Sequence, residues 1–156
     1  ELARILFECG GEPHAASIAR EIVSRRRRSP LKTTADLVAA VKAAIPRKRW
    51  SRDRHVATRT FQAVRMAVNE EVLALTEALP PAAGLRAPGG RLGVISFHSG
   101  EDRIVKRAFL SLAKGPYAPL EPAPITPCRE EMLANPRCRS AKLRVLERIG
   151  ESHGAR

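Results

Sequence analysis

Aromatic residues are scarce in this 156-residue chain, which has one Trp, one Tyr and four Phe. Surfaces that hold single-stranded RNA stack its bases on aromatic side chains, so the scarcity argues against such a platform. Cysteine is scarce too. Cys9, Cys128 and Cys138 are odd in number and no pair has CxxC spacing. That excludes a dense disulfide framework and a zinc site of that type, and leaves reduced thiols in a cytosolic protein as the expectation. His14, His55 and His153 show no metal-ligand spacing, so no metal is expected. No apolar run approaches the ~18 residues of a membrane span. No signal-peptide pattern opens the chain. The expectation is a cytoplasmic protein with no membrane partner.

Basic residues are abundant. Lys and Arg number 28 against 16 acids, for a net charge of +12. The excess is concentrated: residues 25–65 carry thirteen basic side chains against Asp36 and Asp53. A localised block of this kind fits a polyanion, because each phosphate neutralised releases counterions. An Arg-biased genome is the alternative, but such a bias would spread Arg along the whole chain.

The first half reads as helical. Leu2, Ile5 and Leu6 form the apolar stripe of a helix that is already under way at Glu1. A chain opening inside a helix is expected to be cut from a longer one. Gly10-Gly11 stops that helix. A second helix is expected from about Pro13 to Arg28, with Ala15, Ile18, Ala19, Ile22 and Val23 on one face. A third follows Thr33 as N-cap and stops before Pro46. A basic loop, 47–55, comes next. Phe61, Val64, Val68, Val72, Leu75 and Leu79 are then spaced as the stripe of one long fourth helix.

The pattern changes at Pro80-Pro81. Pro88-Gly89-Gly90 predicts a turn, and 91–97 a strand that is apolar on both faces and therefore interior to a covered sheet. A helix is expected from Ser99 to about Lys114, with Ser99-x-x-Asp102 as its capping box. Residues 115–127 are Pro-rich, with a short strand at 123–126, and 142–149 is the last strand. The tail is expected to fray. So few strands suggest the end of an α/β sheet whose other half lies elsewhere.

Six segments, in this order, resemble the MraW/RsmH family of S-adenosylmethionine-dependent 16S rRNA (cytosine-N4)-methyltransferases. They are Ile18–Val23, Ala57–Arg65, Pro88–Leu92, Ile95–Lys106, Pro124–Pro127 and Asn135–Arg144. The strongest is Ile95-Ser96-Phe97-His98-Ser99-Gly100-Glu101-Asp102-Arg103. The resemblance implies the C-terminal part of a class I methyltransferase (Rossmann-like) α/β sheet carrying a helical insertion domain. Residues 1–11 would end a helix of the preceding part, 12–60 form the basic insertion, and 61–156 complete the methyltransferase domain, with 91–97 as its fifth strand. S-adenosylmethionine would be the cofactor, held by motifs upstream, with no cofactor ligand in this chain and no activity of the chain alone. The partner would be 16S rRNA or the small ribosomal subunit. Three places depart from the family pattern: Gly100 where Leu is usual, Val56 where Pro is usual, and Pro13-His14 after Glu12 where an acid and an Arg are frequent.

The candidate site residues follow. His98, after the strand, either touches the target cytosine or a phosphate, or only fixes its loop; Phe97 can pack near the base. Arg47, Lys48, Arg49 and Arg52 are candidate phosphate contacts, as are Arg25–Arg28, with Trp50 stacking or packing. Arg59 and Arg65 either bind phosphate or form salt bridges to a segment outside this chain. Arg103, Arg137 and Arg139, with Lys142, either clamp RNA or are solvated. The rival to an enzyme is an RNA-binding helical module without catalysis. A Gly-rich loop after a strand upstream would favour the enzyme.

Overall fold

Gly10 marks the closest approach of two helices in the computed structural model, which describes residues 1–52 and 54–150. Asp53, His153 and the tail expected to fray lie outside the described residues. A Cβ built on Gly10 would stand 2.5 Å from the Arg59 carbonyl oxygen and 2.8 Å from Ala63 Cβ. Only a residue without a side chain lets α1 (Leu2–Glu8) reach α4 (Thr58–Val68) in this way. Gly10→Ala is therefore expected to destabilise the helical unit by about 1–3 kcal/mol, from overpacking against backbone. Urea unfolding of the variant checks this; an unchanged midpoint would show that the contact relaxes freely.

The chain divides into two compact units, Glu1–Glu71 and Val72–Arg156. The boundary expected near residue 60 falls inside α4. In the first unit, α2 (Ala15–Arg28) packs on α3 (Thr34–Ala44), burying Ile18, Ala19 and Ile22 with Ala40, Val41 and Ile45. Thr33 caps α3 as expected: its hydroxyl accepts from the Asp36 amide, and the Asp36 carboxylate accepts from the Thr33 amide. Leu6, Ala57 and Ala63 join the same core.

The long fourth helix is two helices. α4 ends at Asn69, and Glu70 takes φ +51° before α5 (Glu71–Gly84) begins. A periodic stripe carries no mark of such a break, because both pieces are helical and both are apolar. The buried face also differs. Thr60, Ala63 and Met66 are buried, whereas Val68 is 76% exposed. Ala63 on this face allows the close approach at Gly10. Pro80 and Pro81 lie inside α5 and do not end it. Their cost is offset by Leu79 and Ala83, which flank them and are buried against Val105, Phe109 and Leu146.

The second unit is mixed α/β. β1 (Arg91–Ser96), β2 (Tyr117–Pro119) and β3 (Lys142–Arg148) form an antiparallel sheet in the order β1-β3-β2. Register pairs Arg91 with Glu147 and Ser96 with Lys142. Among the described residues, β1 is paired on one side only, by β3. Leu92 and Val94 pack on the core, but Ile95 is 59% exposed and Phe97 56%. Two apolar faces call for cover on both sides, and the described residues supply it on one. The strand expected at 123–126 reduces to a single bridge between Ile125 and Leu143, and the true second strand is Tyr117–Pro119. α6 (Ser99–Leu112) lies on the sheet, and α7 (Arg129–Ala134) leads into a 3₁₀ turn, Pro136–Ser140.

Candidate nucleic-acid interface

The basic loop is partly ordered as a 3₁₀ turn, Arg47–Arg49, directly after α3. Trp50 anchors it. Its indole N–H donates to the Ile45 carbonyl at 3.0 Å, Lys42 Nζ lies 5.8 Å from the ring centre, and the ring packs on the core. Trp50 therefore packs and is not free to stack. Arg47, Lys48, Arg49 and Arg52 are exposed, and no described carboxylate pairs with them. Exposed cations with no described counter-charge can meet phosphate.

Arg59 and Arg65 have different surroundings although both belong to α4. Arg59 is half-buried and lines a cleft with Arg49, Arg54, His14 and His55. Glu12, only 3% exposed, is in the same cleft and accepts from the His14 amide at 3.0 Å. Arg65 instead makes a two-pronged contact with Glu71, Nε to Oε1 at 2.8 Å and a terminal nitrogen to Oε2 at 2.9 Å. Its salt bridge is local, to a residue six positions on. Glu12 escaped the sequence reading, since nothing in a lone Glu between Gly11 and Pro13 announces burial.

In the second unit, His98 is the N-cap of α6. Its Nδ1 accepts from the Glu101 amide at 3.3 Å, and its Nε2 lies 3.0 Å from Glu101 Oε1. Glu101 Oε2 accepts from the Phe97 amide at 3.0 Å. The cap is therefore His98 onto the Glu101 amide, one residue earlier than the Ser99–Asp102 box that the sequence predicts, while the Glu101 carboxylate reaches back past His98 to the Phe97 amide. The side chain is 17% exposed. Phe97 beside it is exposed at the end of β1.

Asp102 is released for other work. Its carboxylate accepts from Arg144 at 2.7 Å and from Lys142 at 3.3 Å, tying the start of α6 to β3. Burial pushes the Asp102 carboxyl up, but the hydrogen bonds and charges of Arg144 and Lys142 outweigh it and hold the group below the usual carboxylate range. Lys142 is therefore engaged in an ion pair and is not a free RNA clamp. The alternation Lys142-Leu143-Arg144 puts both cations on one face of β3, which is the signal that could have revealed the cluster. Arg103, Arg137 and Arg139 are exposed, the last two on either side of buried Cys138.

Both glycine pairs have defined surroundings. Gly10 is filled by α4, and Gly89-Gly90 is tied to Arg148 by backbone hydrogen bonds at 2.6 and 2.9 Å. Among the described residues no cluster of His, Cys, Asp and Glu could hold a metal, and no helix is long and apolar enough to cross a membrane.

Residues 1–149 match the model of the MraW methylase family. The chain is 50% identical over 155 residues to a protein of Deinococcus radiodurans called Ribosomal RNA small subunit methyltransferase H, covering 99% of this chain and 48% of that protein. Proteins of the same name from Kosmotoga olearia and Heliobacterium mobile are 51% and 48% identical, each over 96% of this chain. The chain spans about half the length of these curated relatives.

Proposed function

Because the chain belongs to the MraW methylase family, we propose that it works within a class I methyltransferase acting on the N4 amine of a cytosine in small-subunit (16S) rRNA. The observation that carries this reading is the match along residues 1–149, with relatives named for methylating RNA of the small ribosomal subunit. S-adenosylmethionine is the methyl donor of the proposal and supplies the sulfonium methyl. The proposal assigns no donor ligand to the glycine pairs described above. The reading places the protein in the cytoplasm, where the ribosomal subunit is.

This chain's part is to grip RNA and to present one wall of the target-base pocket. The cytosine amine is a poor nucleophile because its lone pair is delocalised into the ring. Holding it in line for transfer can contribute several kcal/mol. Phe97, exposed at the end of β1, offers an apolar surface for the base, and His98 fixes the turn that carries it. The helical, basic region 12–60 serves as the RNA-binding insertion, with Arg47, Lys48, Arg49, Arg52 and Arg59 meeting phosphate. Arg103, Arg137 and Arg139 are the second unit's exposed cations for the same polyanion.

Neutralising Arg47, Lys48, Arg49 and Arg52 together in the full-length protein is expected to weaken binding to small-subunit rRNA. The log-log salt dependence should flatten by ~0.7–0.9 for each phosphate that is no longer neutralised. Fluorescence anisotropy across a salt series measures this, and an unchanged slope would reduce the turn to a solvated surface.

A further inference from the structure

We propose that the helical unit grips a double-helical segment of RNA, through two basic clusters held at opposite ends of the α2–α3 hairpin. The inference rests on the reading that this unit contacts RNA, and goes further in naming the form of RNA it fits.

The placement of the clusters follows from the packing. Arg25 and Arg28, at the end of α2, share a groove with Leu31 and Asp36, at the start of α3. Ile45, Arg49 and Trp50, at and beyond the end of α3, share a cleft with Pro13 and His14, just before α2. The two helices therefore run antiparallel. Arg26–Arg28 stand at one end and Arg47–Arg49 at the other. α2 has 14 residues, so at ~1.5 Å per residue the clusters are roughly 20 Å apart.

Neither end is neutralised from within the hairpin. Glu21 is paired with Arg25, and the Asp36 carboxylate is taken up by the Lys32 and Thr33 amides. Arg26, Arg27 and Arg28 are exposed, as are Arg47, Lys48 and Arg49. Between the clusters, α3 exposes Ala35, Ala39 and Ala43, which neither repel a phosphate backbone nor obstruct it.

Two separated cationic points suit a ligand with two phosphate rails. A paired RNA helix has them, and proteins recognise it by shape and backbone contact across its wide, shallow minor groove. A single strand calls for a continuous charged track with aromatic platforms. The aromatics of this unit do not supply one. Trp50 is committed to Ile45 and the core, Phe61 is half-buried against the same core, and exposed Phe7 stands alone on α1.

The test uses the full-length protein with two probes of equal phosphate count, a fully paired RNA hairpin and an unstructured RNA strand. The hairpin is expected to bind roughly tenfold tighter or more. Replacing Arg26, Arg27 and Arg28 by Gln, or Arg47, Lys48 and Arg49 by Gln, should each flatten the hairpin's log-log salt slope by about 2, and the two sets should add. Should a triple variant melt early, Arg27→Gln and Lys48→Gln singly are expected to flatten the slope by ~0.7–0.9 each. Equal or tighter binding of the unpaired strand, or a flatter slope from only one cluster, would overturn the two-cluster grip while leaving RNA contact standing. Binding of neither probe would overturn both.

Discussion

Asp102→Ala is expected to destabilise the second unit by about 2–3 kcal/mol, because it leaves a largely enclosed cation without its partner. The Arg144 side chain is 11% exposed and Asp102 13%. Two charges so enclosed hold each other, and removing the carboxylate takes away the acceptor of both guanidinium hydrogen bonds. Asp102→Asn should cost less, since an amide oxygen still accepts from Arg144. Amide hydrogen exchange along β3 measures the loss directly. Exchange as slow as in the parent protein would show that Arg144 finds water at no cost. The same cluster gives a pH dependence. The Asp102 carboxyl has its pKa held below the ordinary 3.8 in the folded state. Its contribution is complete above that value and is lost as pH falls through the lower folded one. A stability curve that fell already between neutral pH and the ordinary carboxylate range would need another group.

His98→Ala should lower stability by ~1–2 kcal/mol, and Ser99→Ala by less than ~0.5, the reverse of what the sequence alone suggests. His98 is the residue whose side chain accepts from the Glu101 amide, while Ser99 is merely the first residue of the helix. Loss of the ring also frees Glu101, whose carboxylate holds the Phe97 amide. Methyl transfer by the full-length protein should therefore fall with His98→Ala, because the Phe97 turn loosens. His98→Asn separates the two roles, since Asn is a good N-cap. If the imidazole also faces the target base, His98→Asn restores melting temperature but not the rate. Recovery of both would confine His98 to capping.

Much of the helical unit is legible in the sequence because its signals are local. Thr33 with Asp36, Pro46 after Ile45 and the stripe on α2 each fix one boundary. What is not legible depends on contacts distant in sequence. The break at Asn69-Glu70 lies within an unbroken apolar period, and the face that α4 buries is decided by Gly10, nearly fifty positions earlier. The strand at 91–97 is evident from its own residues, but its pairing with β3 is encoded by no local pattern. In the candidate site, the exposed cations of 47–52 can be read from charge alone. Asp102, Lys142 and Arg144 cannot be joined until α6 and β3 are brought together, forty residues apart, at 2.7–3.3 Å.

The most direct measurement is of the modified nucleoside itself. The full-length protein would be incubated with isotopically labelled S-adenosylmethionine and small ribosomal subunits from cells lacking that protein. The RNA would then be digested to nucleosides and analysed by mass spectrometry. The account predicts label in N4-methylated cytidine, and much less of it when Arg47, Lys48, Arg49 and Arg52 are neutralised. Label on a cytosine ring carbon, on another base, or nowhere in the RNA would contradict it.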